Sequence, residues 1–121
     1  MDHAPGFLDI VNDAKSRVRQ INIDQYQQMR ASHQPHLLID VREDNEFAAG
    51  RALGAIHIGK GVIERDIEAK VPDKNTTLVL YCGGGFRSAL AADNLRKMGY
   101  QAAISLDGGY RALQAAKLTT T

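Results

Sequence analysis

Residues 78–100 read LVLYCGGGFRSALAADNLRKMGY, and the rest of the chain can be organised around them. The aliphatic run TTLVLY at 76–81 contains no breaker and predicts a buried strand. Three glycines, Gly83, Gly84 and Gly85, follow one residue later. Leu90, Ala91, Leu95 and Met98 then recur at the spacing of one helix face over 87–98, and Gly99 ends it. The same strand, glycine turn and helix sequence returns in AAISL and YRALQAAK, on either side of Asp107, Gly108 and Gly109. Upstream, LLIDV at 37–41 and AIHI at 55–58 read as further strands. A short helix over 43–49 closes at Gly50, and VIERDIEAKV at 62–71 has helical spacing until Pro72 stops it. Alternating strands and helices predict an α/β fold, with a five-stranded, mainly parallel sheet and helices on both faces.

The amino-terminal end departs from this alternation. Phe7, Ile10, Val11, Ala14, Val18 and Ile21 recur every three or four positions, predicting one amphipathic helix from 7 to 21. Such a helix either covers a sheet edge or offers a face to a partner. INI at 21–23 suggests a short strand, with Asp24 as the cap of a helix running through Met29. The division expected is an amphipathic helical extension over 1–20 and one domain over 21–121.

Composition narrows the class of function. A chain of 121 residues builds one core, and 15 basic against 14 acidic residues leave a net charge of +1. No nucleic-acid or membrane partner is called for. Charged residues interrupt the first twenty positions, unlike a secretory leader, so a cytoplasmic location is expected. Cys82 is the one cysteine, which excludes an internal disulfide and a Cys-x-x-Cys redox pair. The four histidines lack metal-ligand spacing; His33 and His36 fall in a proline-containing turn. No metal and no cofactor is expected. The terminal TTT is the sole low-complexity stretch.

Cys82 follows the strongest strand, at the carboxyl edge where open parallel sheets bind their ligands. The helix after it points unpaired amides and its positive dipole end back at the loop. Three glycines let the backbone curl with N–H groups inward, a nest for an anion. Its occupant would be a thiolate or a sulfur-borne negative charge, which needs a thiol pKa below the ordinary value. Arg87 adds forked donors suited to an oxyanion. The alternative is a small buried hydrophobe in an ordinary strand-to-helix turn. The thiol alone favours that alternative, and the three glycines together with Arg87 at a helix start favour chemistry. The loop lacks the Gly-Lys-Ser/Thr ending of a nucleotide P-loop. Phe86 would either wall the pocket mouth or pack in the core. No histidine neighbours Cys82 in sequence, so a Cys-His pair would require His57 in space.

From about Ile21 to Leu113 the chain resembles the rhodanese-like sulfurtransferases, specifically single-domain members. LLIDVRE at 37–43, EFAAGRALGAIHI at 46–58, YCGGGFRS at 81–88 and LDGGY at 106–110 are similar to four signatures in the family's order. The resemblance implies a two-step transfer in which Cys82 takes a sulfane sulfur from thiosulfate or a similar donor. It then holds a persulfide and passes the sulfur to cyanide or a thiol, either a small molecule or a protein acceptor. Amides from Gly83 through Ser88 would stabilise the outer sulfur, and Arg87 would bind the donor's charge. Asp40 would brace the loop, and Arg42 would make a structural ion pair with Glu46 unless both belong to a surface charge cluster. Phosphatases of this fold use a Cys-x5-Arg loop, whereas this chain has Cys-x4-Arg. A binding module without catalysis and a sulfur relay are the further alternatives. Arg51 and Leu53 replace a common histidine and proline, and Tyr110 stands near a frequent tryptophan.

Overall fold

The central strand is buried on both faces, and its alternation explains the layers around it. In β5 (Leu78–Tyr81), Leu78 and Leu80 belong to one core cluster and Val79 and Tyr81 to another, so the two faces need separate covers. The structure, a computed structural model, describes residues 3–120. Beside β5 lie β2 (Leu37–Asp40) and β6 (Ala103–Leu106), with β4 (Ile56–His57) and β1 (Arg19–Ile21) outermost. Every pairing in the order β1-β6-β5-β2-β4 is parallel, which brings all five carboxyl ends to one edge.

One face is covered by α4 (Ile63–Lys70) and α5 (Phe86–Lys97), through Ile63, Ile67, Ala91, Ala92 and Leu95. The other is covered by α2 (Ile23–Ala31) and α6 (Gly109–Ala115), through Tyr26, Met29 and Leu113. The short α3 (Asp44–Ala49) follows β2 and has a reciprocal cap, in which the Glu43 amide donates to Glu46 Oε1 at 3.0 Å.

The expected helix over 7–21 is not one element. α1 (Pro5–Lys15) stops early, and Arg19–Ile21 becomes a strand paired with β6. The amide of Ser16 bonds back to Asn12, its hydroxyl to the Asp13 carbonyl, and Val18 is held to Ala14 by one further turn. Val18 and Ile21 are buried, but they keep the helical phase by coincidence. Ile10, which the single-helix reading puts on the buried side, is 56% exposed. α1 lies against α5, burying Val11 and Ala14.

Two local expectations also change. Asn22, and not Asp24, caps α2, accepting from the Gln25 amide at 2.8 Å while Gln25 accepts from the Asn22 amide at 2.8 Å. Thr119 and Thr120 of the low-complexity end form β7 (Thr119–Thr120), antiparallel to β3 (Arg51–Ala52) in a separate two-stranded sheet. No helix of the described residues is long and apolar enough to cross a membrane.

Candidate active site: the Cys82 loop and its cleft

The loop from Cys82 to Arg87 joins β5 to α5, and the sulfur does the work of a helix cap. Gly85 is the N-cap residue, with φ +98°, and has no side chain to offer. The Ser88 amide, in the first turn of α5, points at Cys82 Sγ at 3.4 Å, and the Gly85 amide donates to the same sulfur at 3.2 Å. Neutral Cys82 donates its thiol proton to Ser88 Oγ at 3.6 Å. Ser88 Oγ lies 2.8 Å from Ser105 Oγ, so with Ser105 donating, the Ser88 proton can turn to a thiolate.

Cys82 is 1% exposed. Burial is the largest single influence and pushes its pKa up, but donation from the Ser88 amide and hydroxyl and the Gly85 and Gly84 amides together brings it below the ordinary value. The thiol is therefore both buried and predisposed to ionise.

A second glycine turn clamps the loop from outside. Gly108 and Gly109, both at positive φ, carry the chain from β6 into α6. The Tyr110 amide donates to the Cys82 carbonyl at 2.7 Å, and the Arg111 amide to the Gly83 carbonyl at 3.4 Å. A Cβ at Gly109 would run into the Cys82 carbonyl, so only glycine allows this approach.

Asp40 and Arg42, at the neighbouring carboxyl end, form a buried brace. Arg42 Nη2 lies 2.7 Å from Asp40 Oδ2 and donates to the Gly50 carbonyl at 2.6 Å. The guanidinium stacks 4.0 Å from the Tyr110 ring centroid. The Tyr81 hydroxyl donates to Asp40 Oδ2 at 2.7 Å and accepts from the Ala52 amide at 3.0 Å. The partner expected for Arg42, Glu46, pairs elsewhere. Its carboxylate meets Arg87, at 3.2 Å from Nη1 and 3.4 Å from Nη2. That neighbour holds the Glu46 carboxyl below the usual range. The two-residue spacing from Asp40 brings Arg42 back onto its own strand end, which leaves Glu46 to face Arg87.

The sulfur lies at a cleft of about 360 Å³. Gly83, Gly84, Phe86 and Arg87 line it with Cys82, so Phe86 takes the pocket position among its two alternatives. Ser88 and Gly85 are buried beneath, and Asp40 and Arg42 are likewise outside the cleft lining. Three lining residues carried no sequence signal for this site: His3, Phe7 and Arg111. The His3 ring lies 4.4 Å from Phe86 and 5.4 Å from Phe7, and Lys15 Nζ sits 4.8 Å from the Phe86 centroid. The histidine that shares the cleft is thus His3. His57 Nε2 instead donates to the Arg42 carbonyl, 2.8 Å away, and its ring stacks on Phe47. The larger open groove around Arg30, His33 and Leu118 lies apart from this chemistry. Among the described residues, no group of three acidic, histidine or cysteine side chains is placed to hold a metal ion.

Fold and loop define a class of α/β proteins that present one buried thiol at the carboxyl edge of a parallel sheet. The model of the rhodanese-like domain matches residues 22–116. The chain belongs to the rhodanese-like domain family, a family of sulfurtransferases and sulfur carriers. Among curated relatives, the thiosulfate sulfurtransferase PspE of Escherichia coli is 39% identical over 62 residues, covering 51% of this chain and 60% of the relative. The chain spans between 51% and 66% of the length of the curated relatives it matches first. The human single-domain sulfurtransferase TSTD1 superposes with a TM-score of 0.71 at 26% identity, over 81% of this chain and 96% of that one. A Rhodopseudomonas palustris protein described as a possible tyrosine phosphatase superposes at 0.82, over 97% and 95%, with 23% identity, a likeness of fold alone.

Proposed function

We propose that the protein is a thiosulfate-type sulfurtransferase of the cytoplasm, working through a persulfide on Cys82. The observation that carries this reading is the aim of the loop amides. Gly85 and Ser88 donate to the sulfur itself, which stabilises the attacking thiolate and then the charge on the persulfide. In the first step Cys82 thiolate attacks the outer sulfur of thiosulfate. The new S–S bond forms as the old one breaks, and the electron pair leaves on sulfite. Gly83 and Gly84 contribute the close-approaching backbone, Phe86 and Arg87 the cleft wall, and Ser88 an amide and a hydroxyl. Asp40 and Arg42 hold the adjacent strand end. Because the chain has one cysteine, no internal disulfide can discharge the persulfide. The acceptor is cyanide or an external thiol, including one on another protein. The compact Cys-x4-Arg loop directs its donors at a single sulfur, which supports sulfur transfer over phosphate-ester hydrolysis. Residues 1–20, on this reading, extend the catalytic domain of 21–121, with His3 and Phe7 completing its cleft.

The test is intact mass after exposure to thiosulfate, followed by cyanide and detection of thiocyanate. One added sulfur atom that cyanide removes is expected, and none in Cys82→Ser. No added mass from thiosulfate on the folded protein would sink the reading.

A further inference from the structure

Strand β6 reads Ala103-Ile104-Ser105-Leu106, and its one polar side chain is fully buried. Ile104 and Leu106 belong to the core under α2 and α6, whereas Ala103 packs in the core under α4 and α5. Strand alternation therefore turns Ser105 toward the α5 face. A hydroxyl buried there is costly unless it is hydrogen-bonded. Among the described residues its side chain has one partner, Ser88 Oγ at 2.8 Å, and Ser88 is itself fully buried. Ser88 Oγ lies 3.6 Å from Cys82 Sγ, so three atoms form a row from β6 to the sulfur.

This row has a preferred direction. Ser88 Oγ is the acceptor within reach of the Ser105 proton, so the bond between the serines runs from Ser105 to Ser88. The Ser88 proton is then left to the sulfur, and a hydroxyl that could face either way becomes a donor. A thiolate completes the arrangement: two protons fill two bonds, and both point toward the negative charge. With the thiol neutral and donating to Ser88 Oγ, three protons share the same two bonds and one is left unmatched in the interior. Each donor also polarises the next, so donation from Ser105 strengthens the bond that Ser88 makes to sulfur. The loop amides of Gly85 and Ser88 point at the same atom, and the hydroxyl row adds a second approach from the sheet.

We infer that Ser105 is a positioning residue for Cys82: by donating to Ser88 it turns the Ser88 hydroxyl onto the sulfur and favours the thiolate. It acts from beneath the loop, outside the cleft lining. Ionisation releases the thiol proton to water and changes no other covalent bond. The place of Ser105 in catalysis rests on the sulfur-transfer reading above, in which the thiolate attacks, whereas its effect on ionisation does not. The other charged and titratable groups around the sulfur are His3 before α1, Lys15 at its end, Glu46 of α3, Arg87 of α5, and Asp107 and Arg111 at the turn into α6. All of them are left in place when Ser105 is changed, so they act alike on each protein compared.

The experiment titrates Cys82 by the ultraviolet absorbance of its thiolate and by the pH dependence of its alkylation with iodoacetamide. The proteins are the wild type, Ser105→Ala, Ser105→Thr, Ser88→Ala and the double alanine variant, with thermal melting to verify each fold. Ser105→Ala should raise the titration midpoint by about half a pH unit, roughly a threefold loss of thiolate below it. Ser105→Thr keeps the hydroxyl and should stay within about 0.2 unit of the wild type. In the Ser88→Ala background the same Ser105→Ala change should shift the midpoint by less than about 0.2 unit, because its effect passes through Ser88. In thiocyanate formation from thiosulfate and cyanide, kcat/KM of Ser105→Ala should fall about threefold below the midpoint and match the wild type on the alkaline plateau. An unmoved midpoint, an equal shift in the absence of Ser88, or a loss of activity that is uniform in pH overturns the inference. Failure of thiosulfate to load Cys82 overturns the sulfur-transfer reading instead, and the titrations still decide the role of Ser105.

Discussion

Arg87 illustrates how one contact changes the meaning of a loop residue. The resemblance to the sulfurtransferases gives it to the donor, but Glu46 holds both guanidinium nitrogens, with both side chains about one third exposed. A donor dianion must therefore compete with a carboxylate before it gains the charge. Glu46→Gln keeps an oxygen for the Glu43 amide while removing the negative charge. It should lower the KM for thiosulfate by roughly threefold, the scale of a partly exposed ion pair, with kcat less affected. Steady-state thiocyanate formation checks this, and a raised KM would show that Glu46 organises Arg87 and does not compete for it. The candidate loop was legible because a thiol, three glycines and an arginine crowd into one turn. Glu46 was not, since it is forty-one positions from Arg87 and its only visible neighbours in sequence were Arg42 and its own cap. His3 was hidden for the same reason: nothing local distinguishes a ring that packs on a distant loop.

At the scale of elements, the attachment of α1 to α5 decides whether the cleft keeps its aromatic wall. Arg17, just beyond α1, donates to Asp93 on α5 at 2.8 and 3.1 Å and to Asp13 at 2.9 and 3.1 Å. The Arg17 hydrogen bonds are the chief cause holding the Asp93 carboxyl down to about 2 from an ordinary 3.8. A depressed folded pKa means that the unfolded chain takes up the proton first. The stabilisation is thus complete above about pH 3.8 and is lost as pH falls through about 2. Asp93→Asn removes this titration. Its unfolding free energy should lie about 1 kcal/mol below the wild type at pH 5, allowing for the part-exposed arginine, and the gap should close between pH 4 and 2. Urea titrations across that range test it, and a gap independent of pH would mean that packing rather than charge joins the helices. Element types were readable from periodicity, while the end of α1 was not. Val18 and Ile21 satisfy a helical spacing, yet pairing with β6 gives Ile21 a buried place in the sheet that no local propensity reveals.

For the molecule as a whole, the buried polar cluster around Asp40 ties together the strand ends of both core faces. Asp40 is fully buried and Arg42 is 5% exposed. They connect β2, Tyr81 of β5, Gly50 after α3 and Tyr110 of α6. Arg42→Met strips the counter-charge from a buried carboxylate and should cost about 3 to 5 kcal/mol in chemical unfolding. Asp40→Asn with Arg42→Met should recover part of that loss, because no unpaired charge is then buried. A double variant no more stable than the single one would place the cost in lost packing of the guanidinium on Tyr110. The layered parallel architecture could be read from alternating glycine turns and aliphatic runs. The small β3–β7 sheet could not, because two-residue strands carry no periodicity and Thr119 and Thr120 acquire partners through the return of the chain to Arg51 and Ala52.

The peptide groups of the cysteine loop also have a direction. Amides of Gly85 and Ser88 face the sulfur, while the carbonyls of Cys82 and Gly83 face away and accept from Tyr110 and Arg111. The dipoles of the loop are thus sorted: positive ends converge on the sulfur, and the negative ends are spent on the start of α6, so a shift of α6 would turn the loop's peptide groups and change the field at the thiol.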